Sequence, residues 1–279
     1  MNIPIELQLP YSKVELKIEQ GIVKYLDRNK IEKIFMGISG GLDSSVTAYL
    51  AARAIGSERI VGVMMNDIVT TAQDKADAEK VIEKLGIRYL DVNVASTYAN
   101  LEDLLKQELF SKFSSEELEK VGGERARMAY ANLKPRLRMM ILYFFDNRLN
   151  GRVVGTSDKS EILMGYFTKY GDGAADVLPI GDLYKTQVRA LGEHLSLPEN
   201  ILRKKPSPGL IANLTAEQEL GFDYSTADLV LHYKFDRNFS NGKIVKKLKV
   251  NEELVDRILS RVNNSENKRK MPEVIKISD

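Results

Sequence analysis

The chain has 279 residues, of which 43% are hydrophobic and 29% are charged, a balance typical of a soluble globular protein. Its 41 basic and 39 acidic residues leave a formal net charge of +2, so no large overall field favours nucleic-acid binding. Cysteine is absent, which excludes disulfides, zinc-thiolate sites and cysteine nucleophiles.

Helices and strands alternate along the first third of the sequence. The predicted helices span about 11–28, 43–55 and 74–85, and the predicted strands span 33–38, 60–65 and 87–92. The strand segments are short and mostly apolar, as expected for strands buried in a parallel sheet. This order predicts an α/β fold with a doubly wound parallel sheet and right-handed crossovers.

The remaining chain is predicted to add one more strand and many helices. Residues 101–150 are helical in two or three pieces, and Pro135 either kinks the last piece or lies in its first turn. A fourth strand covers 152–155. Residues 191–204 form a further helix, and a Pro- and Gly-rich loop begins at Lys205. Short helices and a basic tail over 267–270 close the chain.

A glycine-rich segment follows the first strand and opens a helix, at Gly37-Ile38-Ser39-Gly40-Gly41-Leu42-Asp43-Ser44. Free backbone N–H groups and the helix dipole attract anions at such a position. The segment lacks the Gly-Lys-Ser/Thr ending of a Walker A loop and the Gly-x-Gly-x-x-Gly fingerprint. Asp43 would repel a phosphate unless a cation lies between them, which indicates Mg²⁺. The alternative is a plain glycine turn in which Asp43 caps the helix.

A second polar segment follows the fourth strand, from Gly155 to Glu161. Ligands of doubly wound sheets bind beyond the carboxyl ends of strands, near the switch point. Strands one and four would flank that point, so Glu161 is expected to face Asp43 and to share Mg²⁺ with it. The alternative is a solvated carboxylate in the first turn of a helix.

A loop rich in glycine, aromatic and charged residues comes next, over 165–176, followed by the segment 178–185. Functional residues are concentrated in such loops. The Ser-Gly-Gly-x-Asp-Ser signature at Ser39 resembles the PP-loop (N-type) ATP pyrophosphatases. The run Gly-Tyr-Phe-Thr-Lys-Tyr-Gly-Asp-Gly that begins at Gly165 closely resembles the ammonia-dependent NAD synthetases, and the resemblance extends from about residue 15 to 272.

This resemblance implies an adenine nucleotide alpha-hydrolase-like, Rossmann-type fold and a role for each matching residue. It implies that Asp43 and Glu161 hold Mg²⁺. The implied ATP-binding residues are Gly37, Ile38, Ser39, Gly40, Gly41, Leu42, Asp43, Ser44, Thr156, Lys185 and Ser207. The implied deamido-NAD-binding residues are Arg136, Lys169, Asp176, Asn267 and Lys268.

The sequence departs from the family pattern in two places. Asn267-Lys268 stands where the family often has His-Lys, and an amide can hydrogen-bond but cannot titrate. The loop after Lys205 keeps the hydroxyl of Ser207, but Ile211-Ala212-Asn213-Leu214 is atypical. We expect the segment from Lys205 to Leu214 to be a candidate lid.

The implied reaction is an ATP- and Mg²⁺-dependent amidation of deamido-NAD by ammonia, through an adenylylated intermediate, giving NAD, AMP and pyrophosphate. The chain is expected to form one domain over 1–279 without a glutaminase domain, and to act as a cytoplasmic homodimer that binds neither nucleic acid nor membrane. The apolar helical segment 139–145 could form either the dimer interface or core. Two rival hypotheses are a tRNA-thiolating PP-loop enzyme and a non-catalytic nucleotide-binding protein.

Overall fold

The computed structural model describes residues 3–207, 209–211 and 214–277. Its sheet has four parallel strands in the order β3-β2-β1-β4. They are β1 (Lys33–Gly37), β2 (Ile60–Asn66), β3 (Arg88–Asn93) and β4 (Gly151–Val153). Each starts within a residue of its predicted position, and the predicted parallel α/β sheet is confirmed.

Helices surround this sheet and extend beyond it. Those in the sheet-forming half are α1 (Tyr11–Asn29), α2 (Leu42–Ile55), α3 (Ala72–Leu85), α4 (Ala95–Lys112), α5 (Ser115–Lys120), α6 (Glu124–Ala131) and α7 (Leu133–Leu149). Those after β4 are α8 (Lys159–Met164), α9 (Lys185–His194), α10 (Glu199–Arg203), α11 (Ala216–Leu220), α12 (Tyr224–Leu231), α13 (Asn241–Leu248), α14 (Glu252–Asn264) and α15 (Glu266–Arg269). In the part of the chain that the structure describes, no helix is long and apolar enough to cross a membrane.

The central strand β1 is buried on both of its faces. Successive side chains of a strand point to opposite faces of the sheet. Ile34 and Met36 therefore join the core beneath α1, α2 and α9, whereas Phe35 packs with Met139 and Leu142 of α7 on the other face. Helices on both faces explain why this strand is apolar throughout rather than alternating.

The switch point of the sheet lies between β1 and β4. The chain leaves β1 through α2 to reach β2, and it returns from β3 through α4–α7 to pair β4 on the other side of β1. Connections that diverge from neighbouring strands open a crevice at their carboxyl ends. The glycine-rich segment after β1 and the polar segment after β4 both enter this crevice.

A second apolar core holds the helices that follow β4. Met164 of α8 packs there with α12 and α14, including Val230, Leu231 and Ile258. Since α8 begins at Lys159, within the polar segment that follows β4, this core holds the end of that segment in place. The C-terminal helices therefore contribute to the position of the crevice residues.

The position of Pro135 and the helix predicted over 191–204 can be compared with the structure residue by residue. Pro135 is the third residue of α7 and so lies in its first turn, where its missing N–H has no helical partner to lose. The helix predicted over 191–204 is instead two helices, α9 and α10, and α9 begins at Lys185. Helix α9 ends at His194, and the break covers 195–198, where Ser196 has a left-handed φ of +56° and Leu197 precedes a proline, which disfavours the α conformation.

Candidate active site

The glycine-rich loop connects β1 to α2 and is held by its own serines. The Oγ atoms of Ser39 and Ser44 lie 3.0 Å apart, and the Gly41 N–H donates to Ser39 Oγ at 3.2 Å. Ser45 Oγ donates to the Gly41 carbonyl at 2.7 Å. Gly41 is the N-cap of α2, and Asp43 lies in the first turn of that helix rather than at its cap. The loop thus places serine hydroxyls and the positive end of a 14-residue helix at the crevice.

A buried lysine joins the two polar segments. Lys185 Nζ lies 2.8 Å from Asp43 Oδ2, 2.8 Å from Asp158 Oδ2 and 2.8 Å from Glu161 Oε1. Asp43 follows β1, Asp158 and Glu161 follow β4, and Lys185 begins α9. Their meeting point is therefore set by the tertiary fold, and we call these four residues the lysine–carboxylate cluster.

Local structure orients the members of this cluster. Asp158 caps α8 by accepting from the Glu161 N–H at 2.8 Å, and the Glu161 carboxylate reaches back to the Asp158 N–H at 3.3 Å. This reciprocal capping box holds both carboxylates on one side of the first turn. The Lys185 N–H donates to the buried hydroxyl of Ser160 at 2.9 Å, which fixes the start of α9 against α8.

The electrostatics of the lysine–carboxylate cluster keep the lysine charged. Burial acts to lower the pKa of Lys185, but the contacts with Asp158, Asp43 and Glu161 outweigh it and hold that pKa well above its usual range. Burial raises the pKa of Asp158 and of Glu161, although Lys185 opposes the rise in both. One ammonium among three carboxylates leaves an excess of negative charge when all are ionised. Such a site attracts a further cation.

The residues present fit a magnesium ion that bridges to a phosphate. Asp43 Oδ1 is buried and has no hydrogen-bond partner in the structure, so it is available as a ligand. Over the residues described, no group of three or more His, Cys, Asp or Glu is arranged to hold a metal by itself. Mg²⁺ usually takes only one or two protein carboxylates together with substrate phosphates and water. The observed donors match that second arrangement.

The crevice is a cavity of about 440 Å³, within the range that small-molecule sites occupy. It is lined by most of the residues predicted to bind ATP or metal: Gly37, Ile38, Ser39, Gly41, Leu42, Asp43, Ser44, Thr156, Glu161, Lys185 and Ser207. Gly40 is not part of the lining. Its φ of +70° turns the backbone towards α3, where an added Cβ would overlap the Asp74 carbonyl oxygen. The predicted nucleotide residues therefore converge on one cavity.

The segment after Lys205 lies over one side of this cavity. Ser207 Oγ donates to the Leu214 carbonyl at 3.0 Å and accepts from the Gly209 N–H at 3.2 Å. Lys134 Nζ donates to the Leu210 carbonyl at 3.2 Å and so ties the segment to α7. Pro208, Ala212 and Asn213, which belong to the predicted lid, lie outside the described residues.

Of the residues predicted to bind the dinucleotide, one lines the cavity, three are connected beside it and one lies apart. Lys268 lines the cavity, and its Nζ donates to the Gly165 and Phe167 carbonyls at 2.7 and 2.8 Å. Arg136 Nε donates to the Lys169 carbonyl at 3.3 Å, and Lys169 Nζ donates to the Asn267 carbonyl at 2.5 Å. Arg136, Lys169 and Asn267 are thus connected along the rim and are not among the lining residues.

Asp176 lies apart from both the cavity and the rim. It is exposed beside β4, where its Oδ2 accepts from the Val153 N–H at 2.8 Å and its own N–H donates to the Val153 carbonyl at 2.9 Å. This pairing extends the sheet past its edge strand. A ligand that reaches Asp176 would therefore have to approach the outer side of β4.

Sequence reasoning missed two groups that the structure brings to the site. Asp158 is fully buried in the lysine–carboxylate cluster, and the signal for it was the Asp-x-x-Glu capping pattern that ends at Glu161. Lys204 contacts the glycine-rich loop, with its Nζ 2.9 Å from the Gly40 carbonyl. Nothing in the local sequence indicates that second contact, because 164 positions separate the two residues.

Fold and site together define a doubly wound α/β protein of the nucleotide-binding type, with a glycine-rich loop at a helix N-terminus and a lysine–carboxylate cluster at the switch point. The family model described as NAD synthase matches residues 14–272. An NH(3)-dependent NAD(+) synthetase of Sulfurisphaera tokodaii is 40% identical over 273 residues, which is 98% of this chain and 92% of that protein. The chain belongs to the NAD synthase family.

Solved structures agree with this assignment. The NMN synthetase from Francisella tularensis superposes with a TM-score of 0.81 at 30% identity, over 97% of this chain and 100% of that one. The NH3-dependent NAD synthetase from Campylobacter jejuni, in complex with the nitrate ion, gives a TM-score of 0.74 at 26% identity over 96% and 100%. The predicted family, the predicted fold and the predicted enzyme class, a ligase, are confirmed.

Proposed function

We propose that this chain is an ammonia-dependent NAD synthetase that amidates deamido-NAD at the expense of ATP. The observation that carries the proposal is the convergence of the glycine-rich loop, Asp43, Glu161 and Lys185 on one cavity in a chain of this family. Two relatives are named NH(3)-dependent NAD(+) synthetase, which supports ammonia as the nitrogen donor. Those relatives are named for making NAD. Because NAD is the amide of deamido-NAD, deamido-NAD is the proposed acceptor.

The proposed reaction has two steps and uses no covalent protein nucleophile. The nicotinate carboxylate attacks the α-phosphorus of ATP, forming an acyl adenylate and breaking the bond to pyrophosphate. Ammonia then attacks the acyl carbon, the amide forms, AMP leaves and a proton is released. The protein's tasks are to position the reactants, to neutralise developing charge and to exclude water.

The glycine-rich loop and Lys185 suit the departure of pyrophosphate. The loop offers hydroxyl donors and a helix N-terminus to its oxygens. The Lys185 ammonium is held 2.8 Å from each of three carboxylates, so it is already ordered before ATP binds. A preorganised cation stabilises charge that develops in the transition state without reorganisation at that moment.

Magnesium is the proposed cofactor, with Asp43 as a ligand through its unpartnered Oδ1 and Glu161 as the second carboxylate. When bound there, Mg²⁺ would neutralise the phosphates and polarise them for attack. Asp158 is better suited to holding Lys185 than to binding metal, because its side chain is completely buried. The three carboxylates thus divide between metal binding and lysine positioning.

A homodimer is the proposed assembly, with the outer face of α7 at the interface. Met140 and Phe144 are four residues apart on that helix and are each 62% exposed. They therefore form an apolar stripe on one face. Asp176 is exposed on the outer side of β4, and a second subunit that packed there would place bound substrate next to it. A cytoplasmic location and the single domain without a glutaminase remain predictions.

One comparison favours a second candidate, a mononucleotide acceptor in place of the dinucleotide. The superposition with the F. tularensis protein, which is named NMN synthetase, gives the higher of the two TM-scores, 0.81 against 0.74. The chemistry at the reacting carboxylate would be the same for both acceptors. The residues beyond the cavity, Arg136, Lys169 and Asp176, would then decide which acceptor binds.

The test supplies purified protein with MgATP and ammonium chloride together with either acceptor, and separates the nucleotides by chromatography. The proposal expects NAD and AMP in equal amounts, only when all components are present, and a far higher kcat/KM with deamido-NAD than with nicotinate mononucleotide. The reverse preference would establish the second candidate. AMP formation without either acceptor, or no AMP at all, would refute amidation.

A further inference from the structure

Lys204 contacts the glycine-rich loop at Gly40. It directly follows α10, and its Nζ lies 2.9 Å from the Gly40 carbonyl oxygen, 2.9 Å from Asp74 Oδ1 and 2.7 Å from Asp77 Oδ2. Asp74 and Asp77 belong to α3, so one ammonium links three separate parts of the fold. The ammonium donates to the Gly40 carbonyl and to Asp74 and forms an ion pair with Asp77, so three oxygens surround it.

The acceptors around this ammonium are themselves fixed. Asp77 is fully buried, and its other oxygen accepts from Gln73 Nε2 and Asn200 Nδ2, each at 2.6 Å. Arg189 donates to the Lys204 carbonyl at 3.5 Å and so helps to hold the end of α10. Groups that are supported by neighbours in this way keep a defined position. The Lys204 ammonium is therefore a fixed point, not a freely moving surface charge.

The contact with Gly40 controls the direction of the next amide. In a trans peptide the C=O of one residue and the N–H of the following residue point to opposite sides. The Gly40 carbonyl points to Lys204, and Gly40 is not among the residues that line the cavity, although Ser39, Gly41 and Lys204 are. Holding the carbonyl on the Lys204 side therefore turns the Gly41 N–H to the opposite side, towards Ser39 Oγ, to which it donates at 3.2 Å.

We propose that Lys204 is a positioning residue that sets the orientation of the Gly40–Gly41 peptide for pyrophosphate. It acts through the loop and not by contact with substrate. This inference rests on the proposed function, since it assigns the loop to the pyrophosphate of ATP. It predicts that loss of the ammonium weakens binding of pyrophosphate, while binding of AMP, which lacks the β- and γ-phosphates, is spared.

The experiment measures binding of magnesium pyrophosphate and of AMP to the full chain by isothermal titration calorimetry. In Lys204→Met the affinity for pyrophosphate is expected to fall about tenfold, comparable with the loss of one charge-assisted hydrogen bond, and the affinity for AMP to change less than twofold. In the full reaction the KM for ATP rises, and the KM for the acceptor stays constant. Lys204→Gln, which keeps an N–H donor group but not the charge, gives an intermediate loss and serves if the methionine variant does not fold.

A matched control and a second variant separate positioning from other roles. Lys75→Met removes a lysine of α3 whose Nζ lies 2.9 Å from Asp91, away from the loop, and should change neither affinity. Asp77→Asn should also weaken pyrophosphate binding, because it releases Lys204. If Lys204 bound the anion directly, Asp77→Asn would strengthen that binding and overturn the proposal. Unchanged pyrophosphate affinity in folded Lys204→Met would overturn it as well.

The same measurements distinguish the failure of this inference from the failure of the proposed function. Pyrophosphate binding needs no turnover, so a wild-type chain that binds it without making NAD would refute the function and leave the lysine test intact. A wild-type chain that made NAD while Lys204→Met bound pyrophosphate normally would refute the lysine role alone. A wild-type chain that bound no pyrophosphate would overturn both.

Discussion

Replacing Lys185 by methionine should destabilise the protein through one carboxylate in particular. The Asp43 and Glu161 side chains are 25% and 19% exposed, so water can partly screen them after the ammonium is gone. The Asp158 side chain is 0% exposed, so without the ammonium its carboxylate is either left charged in the interior or forced to take up a proton. Removing one partner of a buried ion pair costs about 3–5 kcal/mol, a large share of the 5–15 kcal/mol typical of a domain.

A double-mutant cycle tests that reasoning. Asp158→Asn removes the buried charge but keeps an acceptor for the Glu161 N–H, so α8 retains its cap. On its own this change should cost about 1 kcal/mol, because Lys185 keeps two carboxylates. The double variant should cost only about 1–2 kcal/mol, well below the sum of the single changes.

The free energy of unfolding is measured by urea denaturation at pH 7, followed by circular dichroism. Single and double costs that add within about 0.5 kcal/mol would refute the assignment of Asp158 as the charge that Lys185 compensates. Production of AMP supplies an independent reading. It should be lost in Lys185→Met and stay lost in the double variant, because repairing stability does not restore the cation needed at the phosphates.

Three further predictions follow from single positions. Asp43→Ala should lower AMP production at least about 100-fold with little change in urea denaturation, because its carboxylate is proposed to hold Mg²⁺; near-normal turnover by the folded variant would remove the metal assignment. Burial raises the pKa of Asp228 to about 7 although Ser160 and Thr186 donate to it. A raised carboxyl pKa means that stability present in acid is lost as pH rises from about 4 to 7, by an amount on the order of a few kcal/mol. Asp228→Asn should flatten that slope in a pH series of urea titrations, and an unchanged slope would contradict the shift. Gly40→Ala should cost about 2 kcal/mol or more and impair pyrophosphate binding, because φ is +70° and the new Cβ would overlap Asp74; Gly242→Ala in α13, where a Cβ has open space, is the control and should be neutral or stabilising in thermal unfolding.

The sequence alone determined the sheet and the position of the glycine-rich loop. Apolar runs such as 33–38 can be recognised locally because a parallel strand is buried on both faces, and β1 occupies 33–37 of that run. The Ser-Gly-Gly-x-Asp-Ser loop is likewise local, since the anion site proposed for it consists of consecutive backbone groups and the end of one helix. The long resemblance around Gly165 identified the family, which the match over 14–272 confirms.

The sequence was less informative where neighbouring elements decide the outcome. Periodicity alone joined α9 and α10 into one helix, and it placed the start near 191, because the side-chain contacts that begin α9 at Lys185 are not visible in a local pattern. The pairing of Asp43 with Glu161 was expected from the switch point, but the lysine between them was not. It depends on where α9 packs against α8, and the two helices belong to different cores: Val188 and Leu191 of α9 lie in the first, Met164 of α8 in the second.

Only the tertiary structure showed how distant residues share one charge. Asp158 reads locally as a helix cap, yet it lies 2.8 Å from the Lys185 ammonium because α8 and α9 meet at the carboxyl ends of β1 and β4. Lys204 reads as a surface lysine, yet it contacts Gly40 across 164 positions of sequence. Charge compensation depends on distance in space and on exclusion of water, and sequence spacing fixes neither quantity.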